Sequence, residues 1–456
     1  MLRSRFSRSP ILPRPRGDRV LARLLYTLLL YLLAPLMLVR LMLRGLRNRD
    51  YLRRWRDRFG YVPRLTGARS IWLHAVSVGE VNALARLVEG LLARHPEVPL
   101  ILTTGTPTGL ARVRQLFGQR VHHTYLPYDL PGVVRRFFAR TRPRLGVIAE
   151  TEIWPNLYTA AGRRRVPLMI VNARLSERSM RGFAILPGVR LISAALEAVV
   201  QILAQSEADA ERYRRLGARS ERVRVVGNLK FDMAVADSVR GAGAQVRVAL
   251  GSARPVWIAA STHEAEEQAV LHAHAAVLRA LPEALLLIAP RHPERFRAVA
   301  QAARAADFSV STRSSDDIPA SRSQCFVLDS LGELMTYYAA ADLAFVGGSL
   351  APIGGHNALE PAALAVPVLV GPHTFNFQDI TEALLASGAA WRIAQAAALG
   401  DAVLALLQDA PARARMGAAA LGVIERGRGA LAEIETAIER ELAASARAAP
   451  VTAAAR

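Results

Sequence analysis

The feature of this sequence that most constrains its fold is a repeated alternation of short apolar runs with helical stretches. The first series of apolar runs occupies residues 71–77, 99–105, 144–150 and 167–173. The second series occupies residues 255–261, 284–290, 324–330, 342–348 and 366–372. Such alternation is typical of parallel βαβ units. We therefore predict an α/β protein with two Rossmann-like doubly wound domains, joined near residues 225–235.

The length of the chain fits two such domains. Its 456 residues exceed the size of one ordinary domain, and 52% of them are hydrophobic. The single cysteine, Cys325, excludes an intrachain disulfide and a cysteine-cluster metal site. The predicted organisation is a basic N-terminal segment, a first domain, a second domain and a frayed tail, at residues 1–65, 66–228, 229–442 and 443–456.

An uninterrupted apolar segment, LLYTLLLYLLAPLMLV, occupies residues 24–39 between Arg23 and Arg40. A helix of that length is about 24 Å long, which is less than the ~30 Å hydrocarbon core of a bilayer. The sequence therefore predicts a hydrophobic helix that anchors the protein to a membrane, and leaves open whether it crosses the bilayer or lies in it. A buried helix is the alternative interpretation.

Positive charge is concentrated around this segment. The net charge is +21, and residues 1–65 hold 16 arginines against three aspartates. A basic collar beside an apolar helix indicates contact with anionic lipid headgroups rather than with nucleic acid. Because both flanks of the segment are basic, we expect the domains to stay on the cytoplasmic side.

Polar residues follow the predicted strands. In open α/β sheets, ligands bind beyond the carboxyl ends of the strands, so these residues are the first candidates for a site. The polar stretches at predicted strand ends are VSVGEVNA, STHEAEE, PRHPERF and GGSLAPIGGHNALE.

The stretch GGHNALE predicts a nucleotide contact. Gly354 and Gly355 allow the backbone to approach a ligand closely. We predict that a helix begins near His356 or Asn357, with Asn357 as its N-cap and a phosphate at its N-terminus. Glu360, three residues later, is placed to accept hydrogen bonds from ribose hydroxyls. The alternative is that Asn357 and Glu360 only cap the helix.

Two further stretches of the second domain are candidate binding loops. PRHPERF offers Arg291, His292 and Arg295 as a cationic clamp for a phosphate or carboxylate, with a solvated basic turn as the alternative. GELM places Gly332 and Glu333 at a predicted helix start, where they contact a base or ribose or simply cap the helix.

Glu80 is the candidate general base. It lies on a predicted glycine-flanked loop after the first strand, and a carboxylate there can take a proton from a sugar hydroxyl. The alternative is an ordinary glutamate at a helix start, and His74 is interpreted as a packed residue. The chain lacks HExxH, GxSxG, CxxC, GKS/T and Asp-x-Asp motifs, so we predict a reaction without metal or cofactor.

Taken in order, these stretches closely resemble the 3-deoxy-D-manno-octulosonic acid (Kdo) transferases of Gram-negative bacteria. The resemblance covers residues 20–430. The stretches that carry it are HAVSVGE, NARLSERS, GNLKFD, STHEAEE, PRHPERF, GELM, ADLAFVGGSL, GGHN and GPHTFNFQD.

The resemblance implies a GT-B glycosyltransferase of the inner membrane, with two Rossmann-like domains facing a cleft. It implies CMP-Kdo as the donor, the lipid A precursor as the acceptor, and inversion at the anomeric carbon, in lipopolysaccharide core assembly. Glu80 takes the place of the family's base. CMP contacts fall on Pro290, Arg291, Leu331, Gly332, Glu333, Asn357, Ala358, Leu359 and Glu360. Further cleft candidates are Asn172, Arg174, Ser176, Lys230, Ser261, Thr262, His263, Gly354, Gly355, His356, Asn376 and Gln378.

Two other classes stay open at this point. One is a different membrane-associated GT-B enzyme that acts on a nucleotide sugar. The other is a non-catalytic, basic protein tethered to the membrane.

Overall fold

The computed structural model describes residues 16–184, 188–315 and 322–447. The chain forms two compact units. The first contains the described residues up to Leu229 together with those from Arg428 onward, and the second is Lys230–Gly427.

The first unit is a parallel seven-stranded sheet with the order β3-β2-β1-β4-β5-β6-β7. Its strands are β1 Ser70–His74, β2 Leu100–Thr104, β3 His122–Tyr125, β4 Pro143–Ala149, β5 Leu168–Ala173, β6 Val199–Ala204 and β7 Val223–Val225. Its helices up to this point are α1 Arg16–Arg47, α2 Val78–Arg94, α3 Pro107–Phe117, α4 Pro131–Thr141, α5 Pro155–Arg163, α6 Glu177–Ala184, α7 Gly188–Leu196 and α8 Glu207–Arg215.

The second unit repeats this plan, with the parallel order β10-β11-β9-β8-β12-β13-β14. Its strands are β8 Val256–Thr262, β9 Leu285–Pro290, β10 Val310–Thr312, β11 Cys325–Val327, β12 Leu343–Val346, β13 Val368–Val370 and β14 Ala390–Arg392. Its helices are α9 Asp237–Leu250, α10 Glu264–Ala280, α11 Phe296–Ala305, α12 Leu334–Ala340, α13 Leu359–Ala362, α14 Gln378–Ala386, α15 Leu399–Gln408 and α16 Ala410–Gly427. The two predicted doubly wound domains are confirmed.

The last helix, α17 (Ala430–Arg447), belongs to the first unit. Its buried residues Ile434, Ile438 and Leu442 join the core that Leu84 of α2 and Val147 of β4 also form. The predicted second domain extended to residue 442, and this boundary differs from the observed one at Gly427. The apolar face of a helix shows that it packs, but not which of two similar sheets it covers.

The predicted N-terminal apolar helix is present as α1. Residues Val20–Leu46 are long and apolar enough to cross a membrane. One face packs on the first unit: Ala22 is 4% exposed and Leu41 is 7% exposed. The opposite face leaves large apolar side chains exposed, including Leu24, Leu25, Leu28, Leu29, Leu32, Leu36, Val39 and Leu43.

Two polar contacts fix α1 on the first unit. Tyr26 donates its hydroxyl to Asp129 Oδ2 at 3.0 Å, and Thr27 donates to Asn156 Oδ1 at 3.2 Å. Asp129 also accepts the backbone N–H groups of Asn156 at 2.9 Å and Leu157 at 2.7 Å. Burial raises the pKa of Asp129 to about 7, although these hydrogen bonds oppose the shift.

Replacing Ile438 with Ala tests the placement of α17. The side chain is 0% exposed, so we expect the change to cost about 2–5 kcal/mol of the free energy of unfolding of the first unit. Hydrogen exchange of the full chain should then show faster exchange in α2 and β4. The matched control is Ile424→Ala in α16, which should loosen the second unit instead. Faster exchange of the second unit in Ile438→Ala would contradict the placement.

Candidate active-site residues

Glu80 lies in the first turn of α2, and not on a loop as predicted. Ser77 is the N-cap of this helix, and its hydroxyl accepts the Glu80 N–H at 3.4 Å. The Glu80 carboxylate accepts the N–H of Val76 at 2.8 Å and the hydroxyl of Ser77 at 3.1 Å. The apolar strand β1 ends at His74, and this Ser-x-x-Glu sequence starts the helix at once. Glu80 therefore caps α2, as the alternative interpretation held, while its side chain stays half-buried.

The surroundings of Glu80 favour its protonated form. Burial raises the pKa of Glu80, and the nearby carboxylate of Glu150 raises it further, whereas the Val76 N–H, His74 and Ser77 act in the opposite direction. A carboxylate with a raised pKa is a stronger base once ionised, which suits proton transfer near neutral pH. The geometry thus permits the predicted role of Glu80, which stays a prediction.

Glu150 is a neighbour that the sequence did not reveal. It directly follows β4 and has a φ of 57°, in the left-handed region that few residues other than glycine adopt. Its position at a strand end was the available signal, since the run 144–150 ends on this residue. Strained backbone of this kind is often found at functional sites.

His74 is packed, as predicted. It is 1% exposed, and its Nδ1 lies 2.9 Å from Thr103 Oγ1. Its Nε2 lies 3.8 Å from Glu152 Oε2, and Trp154 donates its indole N–H to the same carboxylate at 2.9 Å. Burial alone would raise the pKa of Glu152, but His74 and Trp154 hold it below its ordinary value.

The three other first-unit candidates lie at or just beyond the end of β5. Asn172 is 1% exposed with a φ of 49°, and its side-chain oxygen accepts the Leu229 N–H at 3.0 Å. The carbonyl of half-buried Arg174 accepts the Thr151 hydroxyl. Ser176 is exposed, and its hydroxyl accepts the Ser179 N–H at 3.1 Å at the start of α6. Asn172 therefore supports the chain at the carboxyl edge of the sheet, and the ligand roles of all three stay predictions.

In the second unit, the glycine loop lies close to Asn376 and the residues around it, while its predicted approach to a ligand stays a prediction. Gly354 has a φ of 109° and Gly355 a φ of 75°. A Cβ atom on Gly354 would lie 2.5 Å from Asn376 Nδ2. Asn376 donates its side-chain N–H to the Ile353 carbonyl at 3.0 Å and its backbone N–H to the Gly354 carbonyl at 2.9 Å. Asn376 thus holds the loop, while Gln378 is exposed at the start of α14.

The predicted helix start at His356 or Asn357 is wrong. The helix α13 is a single turn, Leu359–Ala362, and buried Ala358 occupies its N-cap position. Asn357 accepts the Leu359 N–H at 3.2 Å and donates its amide to Glu360 Oε1 at 3.1 Å. Because a one-turn helix has little dipole, its N-terminus attracts an anion less strongly than a longer helix would, and the phosphate contact stays a prediction. The observed feature is the amide–carboxylate pair of Asn357 and Glu360.

Glu360, the acidic member of this pair, is largely buried. Burial raises its pKa, while the amide of Asn357 and the positive charge of Arg291 lower it. Its carboxylate keeps acceptor capacity beyond the Asn357 contact, as hydrogen bonding of ribose hydroxyls would require. That role stays a prediction.

The predicted cationic clamp is only partly present. Strand β9 ends at Pro290, and the backbone N–H of Arg291 donates to the Thr262 carbonyl at 2.9 Å. The Arg291 residue is exposed. Arg295, in contrast, pairs with Glu267 at 2.6 Å and with Glu264 at 2.9 Å. Its charge is therefore neutralised by α10, and Arg291 is the cation of this stretch that can act on a ligand.

The remaining candidates of the second unit line strand ends and helix starts. Leu331 is 72% exposed and Gly332 has a φ of 94°. Glu333 is the N-cap of α12, as the stretch GELM predicted, and pairs with Arg313 at 2.9 Å. The Lys230 ammonium lies 5.1 Å from the centre of the Phe377 ring.

A half-buried histidine of the loop after β12, His356, lies against the half-buried His263 that follows strand β8. Ser261 has a φ of 56°, and Thr262 is 0% exposed. His263 Nε2 lies 2.8 Å from His356 Nε2, and the two rings are stacked with centroids 5.1 Å apart. Burial lowers the pKa of His356 to about 4, and Arg291 and His263 add to the shift.

Glu266 anchors the loop that follows β12, and the sequence did not reveal this role. It is 0% exposed. Its carboxylate accepts the N–H groups of Gly348 at 2.6 Å, Leu350 at 2.8 Å and His263 at 3.2 Å. It is therefore saturated by backbone donors and is not a ligand group.

Within the part of the chain that the structure describes, no group of three or more His, Cys, Asp or Glu side chains could hold a metal ion. The reaction without metal or cofactor stays a prediction.

The family model and the related proteins that match this chain carry the same family description. A family model described as 3-deoxy-D-manno-octulosonic-acid transferase (kdotransferase) matches residues 53–233. The chain is 39% identical over 416 residues to the 3-deoxy-D-manno-octulosonic acid transferase of Haemophilus influenzae, an alignment that covers 90% of this chain and 96% of that protein. It is 40% identical over 366 residues to the transferase of the same name from Bordetella pertussis, with coverage of 77% and 83%.

A solved structure supports the fold. The crystal structure of a glycosyltransferase from Rickettsia africae superimposes with a TM-score of 0.53 at 10% identity, and covers 83% of this chain and 99% of that one. Together with the two parallel seven-stranded units, this likeness confirms the GT-B fold. Of the classes that the sequence left open, the high identity over most of the chain selects the transferase. The chain belongs to the Kdo transferase family and is a glycosyltransferase.

Proposed function

We propose that this protein transfers Kdo from CMP-Kdo to the lipid A precursor, with inversion at the anomeric carbon and with Glu80 as the general base. The observation that carries the proposal is the carboxylate of Glu80. It is fixed by the Val76 N–H and the Ser77 hydroxyl, and its pKa is raised by burial and by Glu150. The family membership supports Kdo as the group that is transferred, and the CMP-linked donor and the lipid A acceptor are what the family resemblance implies.

The reaction is a single displacement. Glu80 takes the proton of an acceptor hydroxyl while that oxygen forms a bond to the anomeric carbon of Kdo. The bond between this carbon and the phosphate oxygen breaks at the same time, and CMP leaves with the electron pair. Because attack and departure occur on opposite faces, the configuration at the carbon inverts.

The second unit holds the nucleotide in this proposal. Arg291 compensates the charge of the departing phosphate, since its guanidinium is exposed beyond β9 while Arg295 is occupied by glutamates. Asn357 and Glu360 contact the ribose or base. CMP is a monophosphate ester, so fewer negative charges need compensation than with a diphosphate.

Replacing Glu80 with Gln tests the base. The amide keeps the size of the side chain and can still accept the Val76 N–H, so the fold and CMP affinity should be retained. We expect the rate of Kdo transfer to fall by about 10²–10⁴-fold, because the proton acceptor is lost. The measurement is product mass over time with the lipid A precursor and CMP-Kdo generated in situ.

The matched control for this change is Glu89→Gln, an exposed residue of the same helix. Its activity should equal that of the wild type. A Glu80→Gln variant with wild-type rates would contradict the role of the base. A wild type that binds CMP but adds no Kdo would contradict the proposed substrates.

Membrane association is supported by α1, and we further propose that this helix lies along the cytoplasmic face of the inner membrane. The first unit packs against α1 from Ala22 to Leu41, a distance of about 28 Å at ~1.5 Å per residue. This is nearly the ~30 Å thickness of the hydrocarbon core. A helix that crossed the bilayer would therefore draw polar protein surface into it, whereas a lying helix exposes only its leucine face to lipid.

Depth measurements along α1 test the orientation. Cys325 is the single cysteine, so Cys325→Ser gives a chain without cysteine. A cysteine introduced into this chain in place of Leu25, Leu32 or Val39, one at a time, then carries a single spin label. In reconstituted vesicles, we expect the three labels to have equal, shallow depths. The control position is Arg215, exposed on α8, which should be accessible to water. A label at Leu32 that lies much deeper than the labels at Leu25 and Val39 would show instead that the helix crosses the bilayer.

A further inference from the structure

Arg58 is a nearly buried cation of the first unit. It belongs to the short 3-10 helix Trp55–Phe59, and 8% of its surface is exposed. Its guanidinium lies over the ring of Tyr125, with the central carbon 3.9 Å from the ring centroid. Its Nη2 donates to the carbonyl of Gly105 at 3.1 Å. Because Gly105 follows β2 and Tyr125 ends β3, the guanidinium lies at the carboxyl ends of these two strands.

This cation has no carboxylate partner in the part of the chain that the structure describes. The adjacent carboxylate, that of Asp57, accepts the Arg54 guanidinium and the Thr124 hydroxyl, each at 2.9 Å. The Nε of Arg58 is buried and makes no hydrogen bond within the same residues. Buried charges and polar groups are normally paired, because their removal from water is costly. Arg58 is therefore a candidate for a ligand that brings negative charge.

The stacking of Arg58 on Tyr125 leaves the edge of the guanidinium for such a ligand. A guanidinium has five N–H donors in its plane, and Gly105 accepts from one of them. The tyrosine ring covers a face of the cation and not its edge. Donors arranged as a planar fork match a pair of oxygens on a phosphate or a carboxylate.

Two exposed arginines of α1 add positive charge at the same place. Tyr128 is half-buried, and its backbone N–H donates to the Arg58 carbonyl at 2.8 Å. Burial raises the pKa of Tyr128, whereas the positive charges of three arginines lower it, namely Arg58, Arg44 and Arg40. Three cations near one tyrosine favour a ligand with two negative charges, such as a phosphate monoester, over a carboxylate. Because Arg40 and Arg44 belong to the helix with the exposed leucine face, a lipid is the expected carrier of that phosphate.

Backbone hydrogen bonds connect Arg58 to the candidate base, Glu80. Gly105, whose carbonyl accepts from Arg58, donates its own N–H to the Val76 carbonyl at 3.0 Å. The N–H of Val76 donates in turn to Glu80 Oε2 at 2.8 Å. A Cβ atom on Gly105 would lie 2.9 Å from Val76 Cγ1, so glycine is needed for this approach. The cation and the carboxylate therefore lie at neighbouring strand ends of one sheet edge.

We propose that Arg58 binds a phosphate monoester of the lipid acceptor, at the carboxyl ends of β2 and β3 and beside the base. The inference deepens the proposed function and rests on it for the identity of the acceptor. A bulk phospholipid with a terminal phosphate, such as phosphatidic acid, offers the same chemistry, and the experiment distinguishes the two sources.

Arg58→Met removes the cation and keeps an apolar contact with Tyr125. Replacing a buried ion by an apolar side chain of similar volume is often neutral or stabilising, so the thermal unfolding midpoint should not fall. The measurement is binding of the lipid A precursor to the full chain in detergent, without CMP-Kdo, before and after phosphatase has removed its phosphates. We expect the wild type to bind the phosphorylated form about 10–100-fold more tightly, and Arg58→Met to lose most of this preference.

The matched control is Arg56→Met. Arg56 belongs to the same short helix and lies over the Tyr61 ring at 5.3 Å, but it is exposed. This variant should keep the wild-type preference for the phosphorylated form. Arg58→Lys, a second variant, keeps the charge and loses the planar fork, so its preference should fall by only about three- to tenfold. It keeps the inference testable if Arg58→Met unfolds.

An Arg58→Met variant with the full preference for phosphate would overturn the inference, and so would a wild type without any preference. Vesicles of phosphatidic acid in phosphatidylcholine test the other source. If Arg58→Met binds them more weakly than Arg56→Met does, yet keeps its preference for the phosphorylated acceptor, the phosphate belongs to a bulk lipid and the assignment to the acceptor is contradicted. Because none of these measurements requires turnover, failure of Kdo transfer by the wild type would count against the proposed function alone.

Discussion

The second unit depends on one buried carboxylate, that of Glu266. This side chain is 0% exposed and accepts backbone N–H groups from both Gly348 and Leu350, at the end of β12. Hydrogen bonds to a charged group contribute about 1.5–3 kcal/mol each, and loss of the carboxylate would leave buried donors unpaired. Through them, Glu266 ties the start of α10 to the loop that carries His356 and Asn357.

The close approach of this loop to strand β8 explains why glycine is required at its start. A Cβ atom on Gly347 would lie 2.6 Å from the carbonyl oxygen of Ser261, so a side chain there would push β12 away from β8. The loop can lie across the strand ends because backbone atoms, and not side chains, contact Glu266 and Ser261. The start of this loop is therefore fixed by two constraints, the buried carboxylate of Glu266 and the absence of a Cβ atom at Gly347.

The two units use the same local structure for different purposes. Glu80 and Glu266 are each the third residue of the helix that follows the first strand of their unit, α2 and α10. Glu266 is wholly buried and saturated by backbone donors. Glu80 is half-buried, accepts one backbone N–H and one hydroxyl, and faces the negative charge of Glu150. One glutamate is thus a fixed structural anchor, while the other keeps the exposure that a base needs.

The sequence predicted most of the long central strands, because they are fully buried and read as continuous apolar runs. The run 284–290, for example, became β9 at Leu285–Pro290. The prediction missed one internal strand, β6, whose run VVQILA is interrupted by Gln201. It also missed short edge strands such as β3, whose residues HHTY are half polar, and β10 and β14, which have three residues each. An edge strand needs apolar residues on only one side, so its pattern is weak.

The candidate site residues could be selected in part for the same reason. Strand-end positions indicated Glu80, Arg291, Asn357 and Glu360 as candidates, whose roles stay predictions, and the family resemblance ordered them. Sequence spacing predicted Asn357 as an N-cap, but its side-chain amide donates to Glu360 instead. This contact depends on the backbone conformation of Gly354 and Gly355, which both have a positive φ. The contacts of Glu150 and of His356 arise between distant segments, which no local pattern reveals.

We propose Glu80 as the base, with a pKa that burial and the charge of Glu150 raise. The most direct test is the pH dependence of kcat/KM for Kdo transfer by the wild type and by Glu150→Gln. Activity should rise with pH as Glu80 ionises, with an apparent pKa above the ordinary 4.5. Removal of the Glu150 charge should move this acidic limb to lower pH, because ionised Glu80 then has no like-charged neighbour. An acidic limb at the same pH in both proteins would contradict the account.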